Sequence, residues 1–294
     1  TGVDYNSIKT WTDTGGVYYI DYGNGVVRLE AQTNTYNGAS DVAERVEEVI
    51  FNGTITWDLS QGLYINTPDE GNYDLRGTNS NDTIISQSGN DNLYGYDGSD
   101  YLHAGDGYDV VSGGLGNDTY VFAKGDGSSD INLIDTIYEG IDEGDDTVVF
   151  LDSSIDEVIN WYDGGSFYFQ YSDVTTDLFR FSATLDSSGL NFNDSFENFE
   201  FIDNQSWDVA TGLVLNDRDV GSPVYGSSQS DTIYGNGGAD YIYGYAGHDL
   251  IKGGTGNDVL HGDGGNDIFV FEAGDEQDTI ADFTRGEDKI DLTA

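Results

Sequence analysis

Two consecutive nonapeptides, GGTGNDVLH (253–261) and GDGGNDIFV (262–270), decide the fold of this 294-residue chain. Each has glycines in its first half, an aspartate at the sixth position and an apolar residue at the eighth. The aspartate recurs every nine residues in two series: Asp82, Asp91, Asp100, Asp109 and Asp118, then Asp231, Asp240, Asp249, Asp258 and Asp267. In all ten frames the residue two positions later is apolar. Such a fixed period is typical of a repeat architecture.

A longer period divides the chain into two similar halves. The segment VEEVIFNGTITWDLSQGLYIN (46–66) aligns with FENFEFIDNQSWDVATGLVLN (196–216) at a constant offset. We therefore predict an aromatic-rich module at 1–74, a first repeat block at 75–134, a second module at 135–220 and a second block at 221–294.

Short runs of aromatic and β-branched residues between Gly, Asn and Asp predict strands in both modules. The expected fold class is all-β, with two parallel β-roll blocks alternating with two β modules. One helix is expected at 39–50, where apolar residues share a helical face. Trp57 and Trp207 are expected to be core anchors rather than a sugar-stacking platform, whereas Tyr94, Tyr234 and Tyr243 are candidates for an exposed strip.

The nonapeptide itself predicts how the chain turns. Glycine tolerates positive φ in a tight turn and leaves backbone carbonyls open to a ligand. Positions seven to nine form a short strand with the eighth side chain inward, so two consecutive repeats make one coil of the roll. Turns i and i+2 then stack on one edge, about 4.8 Å apart as neighbouring strands are.

Stacked carboxylates at this spacing repel each other by about 0.9 kcal/mol even in bulk water. A hard divalent cation between the turns relieves the repulsion, and six or so oxygen ligands at about 2.3–2.6 Å are typical of calcium. Magnesium demands a stricter octahedron, and zinc or copper favours His or Cys. The chain has no Cys and three scattered His.

We therefore predict Ca²⁺ as the cofactor. Five turns give three i/i+2 pairs, so about three ions are expected in each block, with further sites at the ends through residues such as Asp278. The predicted ligands are the ten repeat aspartates together with Gly89, Asn90, Gly98, Gly105, Gly107, Gly114, Gly116, Gly238, Gly247, Gly254, Gly256 and Gly265.

Charge and missing motifs exclude several functions. With 10 Lys and Arg against 55 Asp and Glu, the net charge of −45 repels nucleic acids and anionic membranes. No apolar run is long enough to predict membrane insertion. The sequence has no nucleophile elbow, zinc-protease helix motif or phosphate-binding loop, so we expect no catalytic site. The start, TGVDYNSIKT, leads us to expect a piece of a longer protein.

Together with GGLGNDTYV (113–121), the repeats resemble the RTX calcium-binding β-roll of haemolysin-type proteins, most strongly over 82–121 and 231–270. The segment GNDIFVFEAGDEQDTIADFTRGEDKIDL (265–292) resembles the cap that follows RTX repeats in serralysin-type exoproteins. The aromatic modules resemble the calcium-binding-related module of haemolysin-type proteins. The resemblance implies a bacterial protein that leaves the cell by type I secretion and folds on meeting calcium outside.

Three functions remain open from the sequence. The favoured one is a structural or adhesion-associated calcium module, secreted or on the cell surface. The second is a module that binds extracellular polysaccharide or a cell-surface glycan. The third is a non-catalytic C-terminal appendage of a secreted exoenzyme such as an epimerase, protease or lipase.

Overall fold

The structure is a computed structural model. It describes residues 9–12, 18–21, 26–29, 48–51, 55–58, 62–67, 71–127, 135–139, 144–163, 165–171, 178–182, 184–187, 189–191, 196–203, 205–218 and 220–292. The chain divides into two compact units, Thr1–Leu151 with Thr176–Phe179, and Asp152–Thr175 with Arg180–Ala294. Within the described residues almost all regular structure is β, which confirms the all-β prediction.

The first unit contains a β-roll preceded by short hairpins. Its strands are β1 (Lys9–Thr12), β2 (Tyr18–Asp21), β3 (Val26–Leu29), β4 (Glu48–Phe51), β5 (Ile55–Asp58), β6 (Tyr64–Asn66), β7 (Asp74–Arg76), β8 (Thr83–Ile85), β9 (Ser88–Gly89), β10 (Asn92–Asp97), β11 (Tyr101–His103), β12 (Asp106–Gly107), β13 (Val110–Leu115), β14 (Thr119–Phe122), β15 (Asp135–Ile137) and β16 (Thr147–Phe150).

The roll of the first unit has two parallel sheets, β6-β8-β11-β14-β16 and β7-β10-β13-β15. Asn92 pairs with Val110 and Tyr101 with Thr119, in each case two repeats further along the chain, which confirms the predicted coil. The last coil is longer, because Val110 next pairs with Thr136. Antiparallel strands β1, β2 and β3 extend the first sheet at β6.

The second unit contains an antiparallel region followed by a second roll. It comprises a 3-10 helix (Ile155–Glu157) and strands β17 (Val158–Asp163), β18 (Ser166–Tyr171), β19 (Leu178–Ser182, whose first two residues belong to the first unit), β20 (Thr184–Asp186), β21 (Gly189–Asn191), β22 (Asn198–Phe201), β23 (Ser206–Asp208), β24 (Val214–Asn216), β25 (Pro223–Tyr225), β26 (Thr232–Tyr234), β27 (Tyr241–Tyr243), β28 (Ala246–Gly247), β29 (Leu250–Lys252), β30 (Val259–His261), β31 (Gly264–Gly265), β32 (Ile268–Val270), β33 (Thr279–Ile280) and β34 (Lys289–Asp291).

The second roll repeats the design of the first. Its parallel sheets run β24-β26-β29-β32-β34 and β25-β27-β30-β33. Thr232 pairs with Leu250, and Tyr241 with Val259, so the partners are again two repeats apart.

The interior of each roll is a column of eighth-position side chains, as predicted. All are buried, and the columns comprise Leu75, Ile84, Leu93, Leu102, Val111 and Tyr120 in the first roll, and Val224, Ile233, Ile242, Ile251, Leu260 and Phe269 in the second. Each repeat therefore hides one apolar side chain, and burying each of them stabilises the roll by roughly 1.5–3 kcal/mol.

The helix predicted at 39–50 is wrong at its end. Glu48–Phe51 forms β4, which pairs antiparallel with β5 and sets Val49 opposite Trp57. The sequence Asn52-Gly53 between the two strands is a strong hairpin signal, and it outweighs the helical spacing of the apolar residues. Positions 39–47 lie outside the described residues.

The antiparallel region of the second unit packs an aromatic cluster, which we define as Phe167, Phe169, Phe181, Phe199 and Trp207. Ring centroids lie 5.1 Å apart for Phe169 and Phe199 and 4.8 Å apart for Phe199 and Trp207. Trp207 is 3% exposed and donates its indole N–H to the Gly212 carbonyl at 2.6 Å. This confirms Trp207 as a core anchor, whereas the Trp57 side chain is outside the described structure.

No helix in the described part of the chain is long and apolar enough to cross a bilayer.

Candidate metal centre

The repeat aspartates lie inside the rolls. No more than 2% of the surface of any of the ten is exposed. An ionised carboxylate removed from water is strongly unfavourable unless hydrogen bonds or an ion compensate it. The partners of each carboxylate oxygen therefore decide what these turns can do.

One oxygen of each carboxylate binds the backbone of the preceding coil. The Asp82 N–H donates to Asp100 Oδ1 at 2.7 Å, and the Asp100 N–H donates to Asp118 Oδ1 at 2.7 Å. On the other edge the Asp91 N–H reaches Asp109 Oδ1 at 2.7 Å. The second roll has the same links, from Asp231 to Asp249, Asp240 to Asp258 and Asp249 to Asp267, at 2.8–3.0 Å. We call this series the carboxylate ladder.

Four further aspartates extend the ladder beyond the regular repeats. The N–H groups of Asp109 and Asp118 donate to Asp135 and Asp146, both at 2.8 Å. Those of Asp258 and Asp267 donate to Asp278 at 2.9 Å and Asp288 at 3.1 Å. A nine-residue count misses Asp135, Asp146 and Asp288 because the spacing lengthens there. The triplets DTI (135–137), DTV (146–148) and DKI (288–290) keep the Asp-x-apolar pattern and are the signal that finds them.

The second oxygen faces the turn. Oδ2 of Asp100, Asp109, Asp249 and Asp258 is buried and accepts no hydrogen bond from the described residues. These four atoms belong to middle coils of the rolls. A buried acceptor without a donor is destabilising by about 1–3 kcal/mol, and by more when it is charged, so each points to a cation.

Glycine keeps the turn open around these oxygens. At Gly95 a Cβ would overlap Asp100 Oδ2 and lie 2.6 Å from the Gly113 carbonyl oxygen. The predicted glycines lie at the second or fourth turn position and all have positive φ: Gly89, Gly98, Gly105, Gly107, Gly114, Gly116, Gly238, Gly247, Gly254, Gly256 and Gly265. A fourth-position glycine such as Gly256 also stacks on the backbone of Gly238, one coil earlier.

The opening turns satisfy their carboxylates differently. Thr78 donates its backbone N–H and its hydroxyl to Asp82, and Ser227 does the same for Asp231. The Ser86 hydroxyl donates to Asp91. These hydroxyls lie at positions where the regular repeat has glycine. In the first turns the protein itself therefore provides hydrogen-bond donors to the carboxylates, which elsewhere would be compensated by a cation.

The electrostatics follow this difference. Burial raises the pKa of Asp82 and Asp231 to about 6, while backbone and hydroxyl donors hold it back. Burial raises the pKa of Asp100, Asp109 and Asp249 to about 8, and neighbouring ladder carboxylates add to the effect. Ionisation of the aspartates is therefore more unfavourable in the middle coils than in the opening turns.

Two acidic side chains outside the ladder accept backbone N–H groups of the last glycine turns, and the sequence did not single out either of them. Glu139 Oε1 accepts the N–H groups of Gly113 at 2.9 Å and Gly114 at 3.3 Å. Burial, then the charges of Asp146 and Asp118, raise the pKa of Glu139 to about 9. In the second roll Asp282 accepts the N–H of Gly262 at 3.1 Å. Both take the place of a carbonyl from a following coil.

Asn90 is placed differently from the other predicted ligands. Its side chain is exposed, and its Oδ1 accepts the N–H of Tyr108 at 3.2 Å. The Asn90 N–H in turn donates to Asn72 Oδ1 at 2.8 Å. Asn90 therefore belongs to a hydrogen-bond series on the outside of the turns.

Comparison with known families gives the repeats a name. The family described as RTX calcium-binding nonapeptide repeat (4 copies) matches residues 76–111, 94–128, 224–251 and 244–275. This chain contains RTX repeats. The finding confirms the resemblance seen in the sequence, and the RTX region is a calcium-binding, non-catalytic module of a type common in type I secreted proteins.

Two solved structures are similar to this chain. The extracellular lipase LipA from Serratia marcescens matches at 19% identity over 78% of this chain and 34% of its own, with a TM-score of 0.29. The AlgE6R3 subunit of the Azotobacter vinelandii mannuronan C5-epimerase matches at 23% identity over 40% of this chain and 73% of its own, with a TM-score of 0.29. This chain spans about a third of the length of the lipase. A comparison with curated protein sequences finds no match.

The donor set fits calcium. Each middle turn offers a buried carboxylate oxygen beside backbone carbonyls held by positive-φ glycines, and calcium takes six to eight such oxygens in flexible geometry.

Proposed function

We propose that this chain is the calcium-binding region of a secreted bacterial protein, and that its rolls fold only when calcium reaches them outside the cell. Its role there is structural or associated with adhesion. The observation that carries the proposal is the set of buried Oδ2 atoms of Asp100, Asp109, Asp249 and Asp258, which have no hydrogen-bond donor in the described structure.

Calcium drives folding by linkage. It binds stacked turns and not the extended chain, so each occupied site adds about 2.7 kcal/mol of stability at a hundredfold excess over its dissociation constant. Extracellular calcium modules bind at about 10⁻⁴ to 10⁻³ M. Millimolar calcium outside the cell therefore folds the rolls, and submicromolar calcium inside does not.

The ions lie between ladder partners on one edge, with the ten repeat aspartates and turn glycines as ligands. Each ladder has five such pairs, against the three expected from the repeats, because Asp135 and Asp146 extend the first and Asp278 and Asp288 the second. Turns whose carboxylate already has a hydroxyl donor, such as the turn of Asp82, bind calcium more weakly than the middle turns. About three strongly bound ions per roll remain our expectation.

Glycan binding has less support. The ring of Tyr243 stacks on Tyr225 and on His261, with ring centroids 5.6 and 4.8 Å apart. The stacked ring faces are therefore already in contact with one another. Tyr94 has the guanidinium of Arg76 over its ring at 4.8 Å. A sugar needs such a face to be free.

A calcium titration followed by far-ultraviolet circular dichroism tests the proposal, with magnesium as the control. We expect a cooperative gain of β signal near millimolar calcium that a chelator reverses, and a much smaller response to magnesium. A full β signal without calcium contradicts the proposal. A glycan array run with and without calcium tests the alternative.

A further inference from the structure

A group of side chains on the second roll lies outside the carboxylate ladder. His261, at the end of β30, Asp263 in the following turn and Asp282 in the closing segment each place one ligand atom within 4.8 Å of the others. The Asp263 side chain is exposed and the other two are partly exposed, whereas the ladder aspartates are buried. This cluster of one imidazole and two carboxylates is therefore open to ions from solvent.

Two of the three groups are held in place. The His261 ring stacks on Tyr243 at 4.8 Å with an interplanar angle of 14°. The Asp282 carboxylate accepts the N–H groups of Gly262 at 3.1 Å and Asp263 at 2.7 Å. Metal binding thus requires little ordering beyond rotation of the Asp263 side chain, which lowers its entropic cost.

The spacing leaves room for an ion. Nδ1 of His261 lies 3.9 Å from Oδ2 of Asp282, too far for a hydrogen bond. Two ligands about 2.0–2.2 Å from a tetrahedral metal are about 3.3–3.6 Å apart, so a small inward movement suffices. Without a cation the neighbouring carboxylates of Asp263 and Asp282 repel each other.

We propose that His261, Asp263 and Asp282 form a site for a divalent transition metal of the zinc class, distinct from the calcium ladder. The imidazole decides the class, because calcium and magnesium take oxygen ligands while zinc, nickel and copper bind imidazole nitrogen well. Water completes the coordination, so the site keeps an open position. It secures Asp282, and with it the closing segment, against the last turn.

The first roll supplies a matched control. His103 ends β11 as His261 ends β30, and its Nε2 lies 3.0 Å from Asp126 Oδ2. Among the described residues His103 belongs to no group of three metal-ligating side chains.

The test is zinc titration by isothermal calorimetry on the full chain in saturating calcium, comparing wild type, His261→Ala and His103→Ala. We expect one zinc ion that calcium does not displace, binding at least about tenfold weaker in His261→Ala and unchanged in His103→Ala. An unchanged circular dichroism spectrum in calcium establishes that the variants fold.

Two further measurements fix the interpretation. The His261 imidazole nitrogen resonances should shift with zinc in calcium-saturated wild type, and Asp263→Asn should weaken zinc binding while leaving the backbone N–H to Asp282 intact. No zinc binding in saturating calcium overturns the proposal, as does equal affinity in wild type and His261→Ala. Zinc that competes with calcium without any effect of His261→Ala also overturns it, and assigns the carboxylates to calcium.

Discussion

The second unit contains two regions with different sources of stability. In the aromatic cluster, rings 4.8–5.2 Å apart fill the core, and the buried indole N–H of Trp207 has its acceptor. In the roll, each repeat buries one apolar side chain and one carboxylate, and atoms such as Asp249 Oδ2 have no hydrogen-bond donor among the described residues. The polar groups of the cluster are thus satisfied within the protein, whereas the roll buries carboxylate oxygens that the proposed calcium ions would compensate.

We expect this difference to make the two regions depend differently on solution conditions. Hydrophobic burial in the cluster should be insensitive to calcium, whereas the ladder should couple the stability of the roll to calcium and to protons.

Chelation of calcium should separate the two regions most strongly. We expect the rolls to lose their β signal in far-ultraviolet circular dichroism, while the near-ultraviolet aromatic signal of the cluster persists. Restoring calcium should restore the β signal. Simultaneous loss of both signals would contradict independent stabilisation of the cluster.

A change of pH should produce the next largest effect in calcium-free protein. Burial raises the pKa of Asp100, Asp109 and Asp249 to about 8 in the folded state, against about 3.9 in an unfolded chain. The folded roll therefore binds more protons, and its stability is greatest at low pH and is lost as pH rises through about 8.

Far-ultraviolet circular dichroism of dialysed, calcium-free protein measures this effect as a function of pH. The β signal of the rolls should be larger at about pH 5 than at about pH 8, because protonation removes the buried charge that calcium otherwise compensates. In calcium, stability should instead fall towards low pH, since protons compete with the ion. A β signal that does not change with pH in calcium-free protein would show that the ladder carboxylates are not buried as described.

Replacing single ladder aspartates should have opposite effects with and without calcium. Asp109→Asn and Asp258→Asn remove a charged ligand, so the calcium midpoint should rise, with a loss of about 1–3 kcal/mol in saturating calcium. Without calcium the same variants lose a buried charge, so their β signal in far-ultraviolet circular dichroism should be at least as large as that of wild type.

Asp82→Asn is the matched control, because Thr78 already serves that carboxylate. Its calcium midpoint should move less. Equal shifts at Asp82 and Asp109 in the titration would contradict the distinction between end and middle turns.

Gly95→Ala should destabilise the first roll by about 1–3 kcal/mol, because the added methyl meets Asp100 Oδ2 and the Gly113 carbonyl. Gly264→Ala is the control, since the nearest atom to the added methyl group is the Tyr245 carbonyl oxygen, at an ordinary contact distance of 3.6 Å. Thermal unfolding in calcium compares them, and similar losses would rule out the close packing at Gly95.

Trp207→Phe should have the smallest effect of the five. It removes the hydrogen bond to Gly212 and destabilises the aromatic cluster by about 1 kcal/mol. The calcium midpoint should not change. A shifted midpoint would mean that the cluster and the ladder are energetically coupled.

The sequence predicted the rolls well because their signal is local and repeated. Every repeat carries one apolar residue and one aspartate at fixed positions, and these predict the coil and the inward column. The glycines of the same repeat predict the positive-φ turns. The ends were harder, since Asp135 and Asp146 are joined to the ladder by longer coils of irregular length. Glu139 was missed because it acts from outside the repeat frame.

Segments outside the repeat pattern were harder to predict, because their structure depends on nonlocal contacts. Apolar spacing at 39–50 fitted a helix, but pairing of Glu48–Phe51 with β5 is a nonlocal interaction that spacing does not encode. The side chains of the expected strip, Tyr94, Tyr234 and Tyr243, are half-buried. Groups one coil away lie against the rings of Tyr94 and Tyr243, a contact that the sequence of a single repeat does not encode.

Native mass spectrometry during a calcium titration tests the central claim most directly. We predict cooperative uptake of about three tightly bound ions per roll, coincident with the gain of β structure, and fewer ions in Asp109→Asn and Asp258→Asn. Rolls that are fully formed with no bound calcium would contradict the account.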